Sequence, residues 1–368
     1  MALSPAARHR ARYLVPLGAA AITAGIVLVP QAASGVTHPN LPARTAAQLL
    51  ASLEKAQLSP FSGTVVETAR LGLPDLGEST LAGDVAPSGQ SGLMPIITLL
   101  SGSHTAQIAY GGPDKQRVAI FLSDLSEMDV VHNGTDVWTY SSDTNSVTHN
   151  TLPADSEDSP EQDVTTPANP DKLAEQALKA IDPSTVVTVD RTAEVASRPA
   201  YQLDLAPRDP NSLIDSVRIA LDSATSMPLR VQIWARNDTS SPAFEVGFTS
   251  ISMSPPSDST FDFSTPPTAT TEPLPFSREF GGASAGTGGH ATSEEPSILG
   301  HDWTSVLVDH PSARGLGQAL DQLGSRVAAG HLITTSLVTI LVTDDGRVLV
   351  GAVTPSYLER LAASQAAR

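Results

Sequence analysis

Between Thr185 and Met253 the chain carries five runs in which apolar and polar residues alternate, separated only by turn-forming residues. The runs read TVVTVDR, PAYQLDLAP, IDSVRIALD, PLRVQIWAR and AFEVGFTSISM, with separators such as SATSMP and NDTSSP. A period of two marks strands with one face buried, and connections this short join antiparallel neighbours. An upstream stretch repeats the pattern. In SGSHTAQIAYGGPDKQRVAIFL, Ala106, Ile108 and Tyr110 alternate with polar partners, GGPDK turns, and Val118, Ile120 and Leu122 return. MDVVHNGTDVWTYSSDTNSVTHNTL gives three short strands, the first two joined at Asn133–Gly134, the strongest short hairpin signal. PFSGTVVETARLGLPDL, from Pro60 to Leu76, is the opening strand, and SDSTFDFSTPP closes the region.

Two amphipathic helices accompany these strands. ARTAAQLLASLEKAQ places Ala46, Leu49, Leu50 and Leu53 at i, i+3, i+4 and i+7, and DKLAEQALKAID places Leu173, Ala177, Leu178 and Ile181 on one face. A polar, acidic loop (Thr151 to Pro170) precedes the second helix. Two helices cover only part of about ten curved strands, whose apolar face must be buried on something. The expected fold is therefore mainly β: an incomplete antiparallel β-barrel with a helical lid or plug, enclosing a space lined by aliphatic residues and suited to acyl chains.

The expected organisation has four parts. Residues 1–35 hold a basic stretch, RHRAR, an uncharged apolar run from Tyr13 to Val29 and the small residues of PQAASG, which serve either as a cleaved signal peptide or as a membrane anchor. Both readings place the remainder outside the cytoplasm. Residues 41–267 form the half-barrel. Residues 268–297, with FGGASAGTGGHATSEEPS, are a flexible linker. Residues 298–368 form a small α/β unit. Its expected elements are a helix over GLGQALDQLGSRVA, a hairpin over LVTILVTDDGRVLVGAV turning at Asp345–Gly346, and a final helix over SYLERLAASQ.

Charge and composition narrow the function. The 22 basic and 39 acidic side chains give a net charge of −17, which opposes binding to nucleic acid and docking on anionic lipid heads. There is no cysteine, so no disulfide staples the fold and no lipid is attached through Cys at export. With aromatic residues at 4%, an interior must be built mainly from Val, Leu, Ile and Ala.

The chain carries no recognisable reaction centre. The nine His show no HExxH or helical i, i+4 ligand spacing, so neither a catalytic metal nor a cofactor is expected. Gly282 to Gly286 matches the G-x-S-x-G elbow around Ser284, but low-complexity flanks replace the strand and helix that the elbow requires. Asp344–Asp345–Gly346 reads as a turn, and the cluster Asp155, Glu157, Asp158, Glu161 and Asp163 as a solvated loop lacking the spacing of a calcium hand.

Several strands resemble a known family. HNGTDVWTYSSDTNSV resembles the LolA superfamily pattern of a Gly-containing turn, a Trp-x-Tyr strand, a turn and a Val strand, through Gly134, Trp138, Tyr140 and Val147. RPAYQLDLAP resembles its following strand. The stretch from Ile214 resembles its closing meander, ending at Phe261, Phe263 and Pro266. The first helix with FSGTVVETARLGLP looks like the start of this superfamily and of its RseB-like members. The likeness spans roughly Thr45 to Pro267, and the segment beyond it lies outside the family's core pattern. Arg and Ala abundance with only four Lys suggests a GC-rich, actinobacterium-like source.

The resemblance implies an incomplete barrel with a helical lid that carries lipids or lipoproteins. Its expected cavity residues are Val65 and Leu71 on the opening strand, then Ile108, Tyr110, Val118 and Ile120 on the next two. Val217, Ile219, Val231 and Ile233 belong to the long meander. Trp138 and Tyr140 either flank the cavity or pack in the core. The opening strand is expected to be the first stave, beside the first helix, with Gly63 relieving a bend. Glu67 shares a face with Val65, Ala69 and Leu71, and its charge is expected to meet water or a partner. Two functions compete: a carrier whose partners are lipid or lipoprotein acyl chains, and an RseB-like regulator that binds an anti-sigma factor or another membrane protein.

Overall fold

The computed structural model describes residues 39–54, 56, 58–72, 101–121, 126–152, 183–272, 297–309 and 324–366. The N-terminal apolar run, the acidic loop, the second expected helix and Ser284 lie outside these residues. No helix among the described residues is long and apolar enough to cross a membrane.

Helix α1 (Ala46–Glu54) starts where its sequence provides a reciprocal cap. The Gln48 N–H donates to Thr45 Oγ1 at 3.2 Å, and the Thr45 N–H donates to Gln48 Oε1 at 3.0 Å. β1 (Phe61–Arg70) follows. One meander comprises β2 (Ser101–Gly112), β3 (Lys115–Phe121), β4 (Glu127–Asn133), β5 (Asp136–Ser141) and β6 (Ser146–Thr151). A second comprises β7 (Thr185–Val195), β8 (Arg198–Pro207), β9 (Ile214–Asp222), β10 (Pro228–Ala235) and β11 (Phe244–Ser252). The expected β4–β5 hairpin is present, but its two loop residues are Gly134 and Thr135, since Asn133 pairs with Asp136; Gly134 has a φ of 66° that glycine adopts without strain. β12 (Thr270–Glu272) runs parallel beside β6 and carries the sheet into the segment expected to be linker.

These twelve strands form one sheet in the order β12-β6-β5-β4-β3-β2-β1-β11-β10-β9-β8-β7. It is curved but not closed, so the expected mainly β, incomplete barrel is what the chain forms. The curl is visible where Val195 of β7 joins Ala200, Ala220 and Leu229 in a cluster against which Phe248 and Ile251 of β11 pack, although three strands separate β7 from β11.

β1 is not the first stave of this sheet. It lies between the two meanders, pairing with β2 on one side and β11 on the other. Nor does α1 sit beside it. Leu49 and Leu50 of α1 are buried against Tyr201, Leu203 and Leu221 of β8 and β9, and Tyr201 anchors the approach by donating its hydroxyl to the Pro42 carbonyl at 2.9 Å. The physical reason is area. Tyr201, Leu203 and Leu221 offer larger side chains than Val65 and Ala69, and burying each leucine contributes about 1.5–3 kcal/mol.

The C-terminal part contains β13 (Ser297–Leu299), β14 (Val306–Asp309), β15 (Ser325–Val327), β16 (Gly330–Thr334), β17 (Thr339–Thr343) and β18 (Val348–Gly351), then α2 (Pro355–Ala366). They form a six-stranded sheet in the order β13-β14-β18-β17-β16-β15. Leu358 and Ala362 of α2 bury against Val306, Val308, Leu341 and Leu349. The expected hairpin and final helix are present. Most of the expected helix over GLGQALDQLGSRVA lies outside the described residues; at its end Ser325–Val327 are strand instead, pairing with Gly330–Leu332 in a tight hairpin, because cross-strand pairing outweighs weak helix propensity at a β-branched residue.

This unit is joined to the end of the large sheet. Leu213 donates its N–H to the Ala352 carbonyl at 2.9 Å, and Thr354 donates to the Asn211 carbonyl at 2.8 Å. Ser336 donates to the Leu71 carbonyl at 2.8 Å, and Trp303 Nε1–H to Thr185 Oγ1 at 2.7 Å. Leu337 packs in a cluster with Ala69, Leu71, Ala235 and Ala243.

Candidate ligand-binding face

Strand register decides which side chains share a face. Val118 opposes Ile108, and Ile120 opposes Ala106, which opposes Val65. Across β11, Val65 opposes Phe248. Further on, Val231 opposes Ile219 and Ile233 opposes Val217. The register therefore brings ten of the twelve expected cavity residues to one face: Val65, Leu71, Ile108, Tyr110, Val118, Ile120, Val217, Ile219, Val231 and Ile233. It places Trp138 and Tyr140 on the other, since Val131 opposes both Trp138 and Arg117.

On the apolar face Val65, Leu71 and Ile120 are buried and the other seven are half-buried. Phe61 stacks on Tyr110 at 5.7 Å and meets Phe248 edge-on at 5.8 Å. Burial, and then the charge of Asp114, raise the Tyr110 phenol above its ordinary range. Leu71 and Ile233 pack with Leu337 of the C-terminal unit, so this end of the face is capped from within the chain. Ile219 packs against the cluster under α1.

Gly63 lets the face form. A Cβ there would lie 2.5 Å from the Ser250 carbonyl and 2.9 Å from the Phe248 ring, beside the bulge between Thr64 and Val65. Close approach of β11 is what this glycine permits.

Sequence reasoning missed Phe244, Val246, Phe248 and His104 on this face. The three β11 residues stood in plain alternation, but the β1–β11 pairing that places them joins residues about 180 positions apart, which no local pattern reveals. His104 read as one of several scattered histidines. Glu67 does not meet water: it is 6% exposed, and His104 Nδ1–H donates to its Oε2 at 2.6 Å. Acceptance by the carboxylate fixes the proton on Nδ1. Glu67 Oε1 is buried and has no hydrogen-bond partner among the described residues.

The opposite face makes structural contacts. Trp138 is sandwiched between His149 at 3.7 Å and Phe263 at 5.2 Å. Phe261 is fully buried against Gly111. Arg117 holds Asp129 in a two-point pair at 3.1 and 2.6 Å and donates to the Thr260 carbonyl at 3.1 Å. Of the two readings of Trp138, packing is thus the one with contacts behind it. Trp234 also lies on this face, with the Arg218 guanidinium 4.3 Å above its ring. A cleft of about 680 Å³ runs here between β1, β2, β3 and β11, lined by Ser62, Thr64, Gln107, Ser250, Ser252 and Thr260 among others. Ile108, Ala109, Ala119, Phe121, Ile251 and Pro256 share its lining with these hydroxyls and amides, so it mixes apolar and polar side chains.

No protein-family model and no curated protein matches this chain. Among solved structures, it is similar to a chain of the Pseudomonas aeruginosa MucA/MucB complex, at 16% identity and a TM-score of 0.43, over 86% of this chain and 96% of that one. It is similar to an uncharacterized conserved protein from Thermus thermophilus, at 12% and 0.34, over 62% of this chain and 99% of that one. It is also similar to a LolA superfamily protein from Nitrosomonas europaea, at 12% and 0.22, over 60% of this chain and 99% of that one.

Proposed function

We propose that this chain is an extracytoplasmic, non-catalytic binding protein that holds acyl chains of a lipid or lipoprotein on the apolar face of its half-open sheet. One observation carries the reading: contiguous strands from β3 to β9 align aliphatic and aromatic side chains on the same face. Each methylene buried there would contribute about 0.8 kcal/mol. The basic stretch and apolar run at the N-terminus support an envelope location, either released or anchored to the outer side of the cytoplasmic membrane.

The test is uptake of the neutral dye N-phenyl-1-naphthylamine. The wild-type protein takes it up with enhanced fluorescence. Val231→Asp loses uptake while Gln107→Asp, on the opposite face, keeps it. Equal uptake by both variants with unchanged melting would place the ligand elsewhere.

A second reading, capture of a membrane-protein partner such as an anti-sigma factor, is favoured by Ile298 and Leu307. They oppose each other on β13 and β14, at the free edge of the small sheet, and are 71% and 43% exposed. Native mass spectrometry after mild extraction separates the two: co-purifying lipid supports the carrier, and an empty protein bound to a single-span partner supports the regulator.

A further inference from the structure

Leu203, Ile219, Val231 and Val246 oppose one another in sequence across β8, β9, β10 and β11, and the same row continues into Glu67 on β1 and His104 on β2. An apolar row thus ends on a carboxylate. That carboxylate is 6% exposed, one oxygen is taken by His104 at 2.6 Å, and the other is buried with no partner among the described residues. A buried acceptor left open is costly, and the great majority of such groups in folded proteins are satisfied. Val65 and Ala69, two residues away on either side, bury aliphatic groups on the same face, so Glu67 is the acidic exception on β1.

We propose that Glu67 Oε1 is the acceptor for the polar head of the bound ligand, with His104 as the positioning residue that aims it. The inference rests on the acyl-binding reading above and narrows it to one ligand class. The ligand carries a hydrogen-bond donor, such as an amide N–H, an ammonium or a hydroxyl, at the end of its apolar chain. A donor head satisfies the open oxygen. An anionic head brings acceptors against a carboxylate that already has its one donor, so a free fatty acid is rejected by unpaired like charge.

The test uses the dye-loaded full chain at pH 8 and competes the dye with lauramide and with laurate, which share a chain and differ in the head. The wild type prefers lauramide by about tenfold, as expected for one hydrogen bond to a charged acceptor. Glu67→Leu loses the preference; it removes the open acceptor but leaves the His104 N–H without its partner, so it is expected to melt lower than wild type. Glu67→Gln narrows the preference, since its amide can donate to laurate, and it decides the matter if the Leu variant does not fold. Equal competition by both compounds in the wild type, or an undiminished preference in both variants, overturns the role of Glu67 and leaves the apolar face standing. Failure of the wild type to take up dye at all overturns the acyl-binding reading, and this inference with it.

Discussion

Two aspartates on neighbouring strands show how partners decide which way a buried carboxylate shifts. Asp222, 2% exposed, is pushed upward by burial, but Arg198 and Thr225 outweigh that and hold it below the ordinary carboxylate range. Arg198 grips it through Nε at 2.7 Å and Nη2 at 2.9 Å, while the Ala224 N–H, the Thr225 N–H and the Thr225 hydroxyl donate to Oδ2. Asp204 goes the other way. Burial raises it, the Arg218 charge opposes, and Asp190 and Asp215 add to the rise. Its depressed folded value makes Asp222 stabilising above the unfolded carboxylate pKa of about 3.9, and that stability is lost as pH falls through the folded value. Asp204, raised, loses stability as pH rises through its folded value. Asp222→Ala should cost about 3 kcal/mol at neutral pH, because it strands the Arg198 charge and opens the β9–β10 turn. Urea titrations across pH should show the deficit shrinking below about pH 3.9; a deficit independent of pH would mean that the ion pair is not its source.

At the scale of elements, the β1–β11 seam depends on the absence of one side chain. Gly63→Val would drive a branched side chain into the Ser250 carbonyl and the Phe248 ring, neither of which has room to retreat without moving β11. A loss of about 3 kcal/mol is expected, read by thermal melting, together with weaker dye uptake because Phe248 leaves the apolar face. Most elements here were legible in the sequence because they are made by local alternation. The Asn133–Gly134 and Asp345–Gly346 hairpins, the first helix and the five runs of the long meander needed only their own residues. The candidate site was legible in kind and not in assembly. Ten residues chosen by parity do share a face, but Trp138 and Tyr140 have the same local pattern and fall on the other side, since parity says nothing of which strand joins which. Likewise Glu67 could be read as an oddity on an apolar face, whereas its partner His104 sits on β2, beyond a long connection. β13 to β15 are short, and strands of three or four residues carry too few alternations to stand out.

At the scale of the molecule, Leu337 couples the two sheets. It reaches from the small unit into the cluster of Ala69, Leu71, Ala235 and Ala243, at the end of the apolar face. Leu337→Glu should part the units, so that calorimetry resolves two transitions where the wild type shows one; a single unshifted transition would mean that the backbone bonds at Ser212 and Val353 suffice. The central place of β1 also sets a clock. β2 is the next described strand and can zip onto one edge of β1 early, but the other edge waits for β11, made about 180 residues later. Closing so long a loop precedes any gain from the pairing, which makes this the slow event of folding. Until it happens β1 presents a bare row of amide and carbonyl groups and, beside them, the gap at Gly63. Any extended segment that reaches this edge first competes with β11 for it, so the vulnerable interval in the life of this chain is the one between the synthesis of its first strand and its eleventh.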